Sequence, residues 1–243
     1  MSPEVSGLRT PLGHPVFLAT RPDTNDEAVA VALLGQDEYR LASLAPLSGW
    51  MLDIGAHIGT IGIAAALDNP DLRVMAVEAL AENAALMRDS VAMNGLTGRV
   101  FVEHAAAAAP GDGPVTVTYG YRSVGGGAHA AVDGGYVNQC RWIGNIFGAD
   151  TIEQDGEVAV VDPLSLDAIL DRYGIDEVAL LKIDCEGCEW RFLLSPALDR
   201  VPRIVGEYHD AHAWADLVAL VEPTHIAQQW TTGPVGLFSA TRR

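Results

Sequence analysis

The chain has 243 residues, 49% of them hydrophobic and 19% charged, and a formal net charge of −17. This length fits one large single-sheet domain, and the apolar content excludes a disordered chain. The acidity argues against a nucleic-acid partner, because no cluster of Lys and Arg offsets its repulsion of a phosphate backbone.

The N-terminus has neither the basic start nor the apolar run of a signal peptide, and no stretch approaches the roughly 18 apolar residues of a membrane span. No membrane association is expected. Cys140, Cys185 and Cys188 are too few for a disulfide framework and predict a reducing, cytoplasmic setting. Residues 1–49 read as a helical prelude on the substrate side of the main domain. Asp23, Thr24, Asn25 and Asp26 offer helix caps before a helix near 27–34, and a second helical piece over 39–47 ends at Pro46 and Gly49.

From Trp50 onward (50–243) strands and helices alternate. Buried strands are predicted at 50–54, 72–77 and 99–103, with helices at 58–67 and 82–93 between them; Gly95 sits where a left-handed cap belongs. An insertion over about 113–161 breaks the rhythm. Its ends, 115–119 and 157–161, read as a β-hairpin. Between them, Tyr121, Arg122, Tyr136, Asn138, Arg141 and Trp142 suit either a lid over a sugar-like ligand or an oligomer contact. A helix capped by Ser165, a strand at 177–183, a helix at 188–194, a strand at 203–207 and a helix at 211–221 follow. Strands at 224–229 and 235–240 close the chain as an antiparallel pair. The pattern predicts an α/β fold: a mostly parallel seven-stranded sheet, helices on both faces and a hairpin insertion.

Chemistry is expected at the strand ends, because ligands of open α/β sheets bind beyond the carboxyl ends of the strands. The first such end is Leu52-Asp53-Ile54-Gly55-Ala56-His57-Ile58-Gly59. Gly55 permits a tight turn and Gly59 a close approach of helix to sheet. A dinucleotide site needs a further glycine where His57 stands, since a side chain there fills the space of a pyrophosphate. S-adenosylmethionine has no phosphate and fits better. The backbone of Gly55, Ala56 and His57 at a helix N-terminus suits its carboxylate, and Asp53 its ammonium. Glu78 ends the next strand, 25 residues after Asp53, where a carboxylate can accept both ribose hydroxyls. Glu103 or His104 at the third strand end is placed for the adenine amino group, and Ala105 and Ala106 leave room for the ring.

Two later segments are Leu181-Lys182-Ile183-Asp184-Cys185-Glu186-Gly187-Cys188-Glu189 and Ile204-Val205-Gly206-Glu207-Tyr208-His209. With the Asp53 loop and Asp162-Pro163-Leu164-Ser165-Leu166-Asp167, over about 50–210, they resemble the FkbM-type methyltransferases. These are a Rossmann-like class I family that uses S-adenosylmethionine. The resemblance implies methyl transfer to a small-molecule acceptor, usually a hydroxyl of a sugar, macrolide or other secondary metabolite. Carboxylate O-methylation is the alternative within it. The loop alone also admits an NAD(P)-binding oxidoreductase or a non-catalytic nucleotide-binding protein. A homo-oligomer is compatible with all of these.

The methyl group of a sulfonium is already activated, so positioning dominates, and a hydroxyl acceptor needs a base for its proton. His209 is the expected base because its ordinary pKa lies near neutrality; Asp184 is the second choice, with Glu207 beside them. Glu186 and Glu189 are expected to organise the turn and the helix start. Asp184, Glu207 and His209 also offer the ligands of a magnesium-assisted transferase, an open alternative. The family pattern has small apolar residues at 185 and 188, so Cys185 and Cys188 are expected to be two buried thiols, not a redox pair or half a zinc site.

Overall fold

Val16 and Leu18 are buried while Pro15 and Phe17 face outward, a period of two that builds a strand where a helical prelude was expected. The computed structural model describes residues 2–119, 129–131, 157–209, 213–231 and 235–243. It begins with a hairpin of β1 (Glu4–Arg9) and β2 (Pro15–Thr20), paired antiparallel from Glu4↔Thr20 to Arg9↔Pro15. Helix α1 (Asp26–Gly35) follows as expected, but α2 (Leu41–Leu44) is a single turn.

The repeating unit then takes over: β3 (Gly49–Ile54), α3 (Thr60–Asp68), β4 (Leu72–Glu78), α4 (Ala81–Met93) and β5 (Val100–His104). The insertion carries β7 (Val115–Tyr119), β8 (His129–Ala131) and β9 (Glu157–Val161), flanked by the short paired strands β6 (Ala106–Ala107) and β10 (Pro163–Leu164). Next come α5 (Leu166–Tyr173), β11 (Val178–Ile183), α6 (Glu189–Phe192), β12 (Arg203–His209), α7 (Ala213–Val221), β13 (His225–Gln229) and β14 (Val235–Arg242).

Seven strands form one sheet in the order β13-β14-β12-β11-β3-β4-β5. The five from β12 to β5 pair in parallel, and β14 runs antiparallel to both of its neighbours. Because side chains alternate along a strand, each strand feeds two cores. Met51, Val74 and Ala76 pack towards α3 and α4. Leu52, Ile54, Met75 and Val77 pack towards α5 and α7, with Leu170 and Leu217. Helices therefore cover both faces, as a mostly parallel sheet requires.

The hairpin docks on α4. The Ala19 N–H donates to Ser90 Oγ (2.9 Å), and Asn94 clamps the Phe17 backbone by accepting from its N–H (3.0 Å). It thickens the helix layer, and Tyr39 from the following segment reaches Asp184 at the end of β11. In the insertion, β7 and β9 pair as the expected hairpin, Val115↔Val161 to Tyr119↔Glu157, and β8 adds to β7. Residues 120–128 and 132–156, which hold the expected lid or oligomer contact, lie outside the described residues. The parallel strands end at Ile54, Glu78, His104, Ile183 and His209, which places the motifs along one edge of the sheet.

Candidate active site

Beyond β3 the chain turns at Gly55 with φ +72°, so close to the turn after β11 that a Cβ there would overlap the Asp184 carbonyl oxygen. The cofactor loop and the acidic turn thus touch through backbone. Gly59 makes room for Met87 of α4, not for the sheet; Gly62, facing Asp53 and Val74, makes the close helix–sheet approach.

Asp53 lies under this loop and not in the crevice. It is 0% exposed, its Oδ2 accepts from the Gly62 N–H (2.9 Å), and its Oδ1 lies 3.2 Å from Lys182 Nζ. Lys182 Nζ also donates to the Gly55 carbonyl (2.8 Å). The expected pairing of Asp53 with the ammonium of S-adenosylmethionine is therefore corrected: a lysine sealed beside it has taken that role. Burial pushes the Asp53 carboxyl up while Lys182 pulls it back. Burial opposes the Lys182 charge, but Asp53 and Asp184 outweigh it and hold its pKa above the ordinary lysine value. Lys182 is the residue that sequence reasoning left without a role. Its signal was a lysine inside an apolar strand, which needs a partner.

Glu78 stands at the crevice with most of its capacity in use. Its Oε2 accepts from the His57 N–H (2.9 Å), and its Oε1 from the Leu80 N–H (2.9 Å) and Asn83 Nδ2 (3.1 Å). A carboxylate has about four acceptor positions, so room for one ribose hydroxyl remains, not for both. His57 has φ +53°, which turns its N–H onto Glu78. Glu103 accepts from the Tyr173 hydroxyl and lies 3.6 Å from Arg172, which ties it to α5. His104 Nε2 is 3.0 Å from the Ala79 carbonyl, next to Glu78, so it stays at the nucleoside end. Ala105 and Ala106 are buried there.

The second half of the site surrounds one imidazole. Glu189 accepts from the Cys185 N–H (3.0 Å, Oε1) and the Gly187 N–H (2.9 Å, Oε2), organising the turn as expected. The same Oε1 lies 2.9 Å from His209 Nδ1. On the other side of the ring, His209 Nε2 faces Glu186 Oε2 (3.4 Å), Asp184 Oδ1 (3.8 Å) and Glu207 Oε2 (3.9 Å). The buried Tyr39 hydroxyl donates to Asp184 Oδ2 (2.8 Å), a contact from the prelude with no sequence signal. Burial works against a charge on His209, yet Glu186 and Glu189 outweigh it and hold its pKa well above the ordinary histidine value. That direction favours a proton on the ring, which weighs against His209 as the base and towards the carboxylates around it. Burial and then Asp184 push Glu207 well up, and burial lifts Glu186 to about 7.

Asp184 and Glu207 keep side-chain exposures of 22% and 24%, against 3% for His209, so the carboxylates face the crevice and the ring does not. For a metal, the compact group among the described residues is Asp184, Glu189 and His209, with ligand atoms within 4.8 Å of one another. Glu189 replaces the expected Glu207 there. Its oxygens already serve two backbone N–H groups and His209, a poor donor set for a resident cation. Cys185 and Cys188 form a disulfide, where two thiols were expected; their Cα atoms are 5.5 Å apart across the turn, a distance such a bond spans.

Residues 53–228 match the family model described as the methyltransferase FkbM domain. A search of curated protein sequences finds no significant match. Among solved structures, the T. Thermophilus 16S rRNA N2 G1207 methyltransferase in complex with AdoMet and guanosine aligns over 100% of this chain and 51% of that chain, at 14% identity and a TM-score of 0.51. A putative rRNA-methylase from Clostridium thermocellum aligns over 86% of this chain and 94% of that chain, at 10% identity and a TM-score of 0.50. At these identities the likeness is one of fold, the class I methyltransferase fold. Among the described residues no helix is long and apolar enough to cross a membrane.

Proposed function

The chain belongs to the FkbM methyltransferase family, and from that premise we propose that it moves the methyl group of S-adenosylmethionine to a hydroxyl oxygen of a small molecule, a sugar, macrolide or other secondary metabolite. The S–CH3 bond breaks as the O–CH3 bond forms, and S-adenosylhomocysteine leaves. The hydroxyl proton passes to the carboxylates of Asp184, Glu186 and Glu207, whose charge the His209 imidazolium stabilises. Asp184 and Glu207, being partly exposed, are the groups we assign to the acceptor. The Gly55–His57 backbone and Glu78 are assigned to the cofactor.

The observation that carries this reading is the convergence of three carboxylates on His209 Nε2, all within 3.9 Å, beside the cofactor loop. It also ranks the alternatives. A carboxylate acceptor would bring another negative charge into this basin, so ether formation is favoured over ester formation. A net charge of −17 likewise disfavours a polyanionic substrate, although RNA methyltransferases share the fold. The family membership sets the oxidoreductase reading aside.

The test is incubation with labelled S-adenosylmethionine and a panel of hydroxylated sugars and macrolides beside matched carboxylic acids, read by the mass of the product. Methyl ethers are expected. Methyl esters alone, or binding of NAD(P)H in place of S-adenosylmethionine, would overturn the reading.

A further inference from the structure

Tyr39 stands outside the stretch that matches the family, yet its hydroxyl reaches Asp184, a group assigned above to the acceptor. The chain before it is shaped to put it there. Asp37 and Arg40 both adopt the left-handed conformation, at φ +46° and +56°, and bracket Glu38 and Tyr39 in a tight turn. An aspartate tolerates that region but an arginine rarely does, and such residues persist where the surroundings hold them. The Asp37 carboxylate accepts from the Leu41 and Ala42 N–H groups (2.7 and 3.1 Å), and the Asp37 carbonyl accepts from the Arg40 N–H (2.7 Å). The Arg40 guanidinium stacks on Trp230, 4.4 Å from the ring centroid, which clamps the turn against the end of β13.

The clamped turn seats the Tyr39 ring inward. Tyr39 is 1% exposed, packs in the same core as Met51, Val74 and Ala76, and has Lys182 Nζ 5.6 Å from its ring centroid. Its hydroxyl donates to Asp184 Oδ2 (2.8 Å), the one hydrogen bond to that side chain among the described residues. The Asp184 backbone is fixed separately: its N–H donates to the Ile54 carbonyl (3.1 Å), and its carbonyl abuts Gly55. One carboxylate oxygen is thereby tied, and Oδ1 is the oxygen left towards His209 Nε2 (3.8 Å). Burial, and then Asp184, Glu207 and Glu38, push the Tyr39 hydroxyl well above the ordinary tyrosine value, so it keeps the proton that it donates.

We infer that Tyr39 is a positioning residue for methyl transfer: its hydroxyl holds the Asp184 carboxylate so that Oδ1 meets the hydroxyl of the acceptor. The inference rests on the methyltransferase reading above. It brings a residue from before the family-matching stretch into the acceptor half of the site. Without this bond the partly exposed Asp184 side chain is free to turn to water, and the alignment that an in-line displacement needs is lost.

Tyr39→Phe removes the hydroxyl and keeps the ring beside Lys182. Single-turnover rates test it with labelled S-adenosylmethionine and the hydroxylated panel member that the wild type methylates fastest, for the wild type, Tyr39→Phe, Asp184→Ala and the double variant. Calorimetry with S-adenosylhomocysteine follows cofactor binding. The hydrogen bond is to a charged group, so Tyr39→Phe is expected to slow methyl transfer roughly 10-fold or more at saturating acceptor. Affinity for S-adenosylhomocysteine is expected to stay unchanged. In the Asp184→Ala background the same substitution is expected to change the rate little, because both act through one carboxylate. A Tyr39→Phe enzyme at the wild-type rate would overturn the inference. Equal slowing with and without the Asp184 carboxylate, or a parallel loss of S-adenosylhomocysteine affinity, would overturn it too and mark Tyr39 as a residue of the core alone. A wild type that methylates no member of the panel would sink the methyl-transfer reading, and the positioning role with it.

Discussion

Lys182 Nζ lies 3.2 Å from Asp53 Oδ1, and the two side chains are 4% and 0% exposed. The pair ties β11 to β3 underneath the cofactor loop, and Lys182 reaches on to the Gly55 carbonyl. Removing one partner strands a buried charge. Lys182→Met is therefore expected to lower the unfolding free energy by about 3–5 kcal/mol, and the double variant Asp53→Leu/Lys182→Met to recover most of that loss. Urea unfolding of both variants measures it. A double variant as unstable as the single one would show that shape, not charge, dominates here.

Asp26 gives a second stability test, now through pH. Burial pushes its carboxyl up, but His57 and Arg21 outweigh burial and hold it well below the usual carboxylate range. A group whose folded pKa is depressed contributes stability above its unfolded pKa, about 3.9, and loses it as the pH falls through the folded value. Asp26→Asn is expected to cost about 3 kcal/mol at neutral pH, because it strands Arg21. The gap to wild type is expected to narrow below about pH 4, where the carboxylate takes up its proton in the unfolded chain while the folded one is still ionised. Denaturation midpoints at a series of pH values report both. A gap that is flat with pH would contradict the linkage.

These two pairs mark where sequence reading succeeds and where it stops. The β–α alternation from Trp50 onward is legible because a buried parallel strand is a continuous apolar run closed by a turn residue. The N-terminal hairpin is not. Its strands are short, half exposed and flanked by Pro11 and Pro15, so no long period marks them. The strand-end residues are legible as a set because topology alone puts them on one edge. Their roles are not. Asp53 is paired with a lysine 129 residues away, and Glu186 and Glu189 from another turn raise the pKa of His209. Such pairings depend on which side chains end up buried together, which a linear pattern does not carry.

The basin around His209 predicts a pH dependence of turnover. Burial, helped by Asp184 and opposed by His209, lifts Glu186 to about 7. The ionised basin accepts the proton, so kcat is expected to rise with pH through an apparent pKa near 7 that belongs to the whole cluster. Glu186→Gln is expected to shift that limb. His209→Ala is expected to lower kcat by about 10²–10⁴-fold while S-adenosylhomocysteine still binds. Because Glu189 already serves two backbone N–H groups, turnover is expected to persist in excess chelator. Rates from pH 5 to 9, with and without chelator, decide all three, and a His209→Ala enzyme at full speed would remove the basin from the proton path.

Cys185 and Cys188 bracket the turn that carries Glu186, and the disulfide between them leaves Cys140 as the remaining cysteine of the three. Alkylation in denaturant is expected to label one cysteine before reduction and three after. A disulfide across so short a loop contributes about 2 kcal/mol by chain entropy, so Cys185→Ala/Cys188→Ala is expected to lose about that much stability. The turn itself should persist, because Glu189 still accepts from the Cys185 and Gly187 backbone N–H groups, which the substitutions leave in place. Three cysteines labelled without reductant would show that the thiols are free.

Gly55 tests whether the two halves of the crevice act together. A Cβ there would overlap the Asp184 carbonyl, and φ +72° is strained for any residue with a side chain. The overlap is with backbone, so no rotamer change relieves it. Either the cofactor loop or the Asp184 turn must move. If the loop moves, the His57 N–H leaves Glu78 and cofactor affinity falls. If the turn moves, Asp184 leaves Tyr39 and His209, and kcat falls. Gly55→Ala is expected to reduce kcat/KM by at least about 100-fold, since misplacement of about 1 Å at a positioned site has effects of that size. Separate measurement of S-adenosylhomocysteine affinity and single-turnover rate shows which side yields. A Gly55→Ala enzyme with wild-type values for both would mean that the contact between Gly55 and Asp184 does not couple cofactor to acceptor.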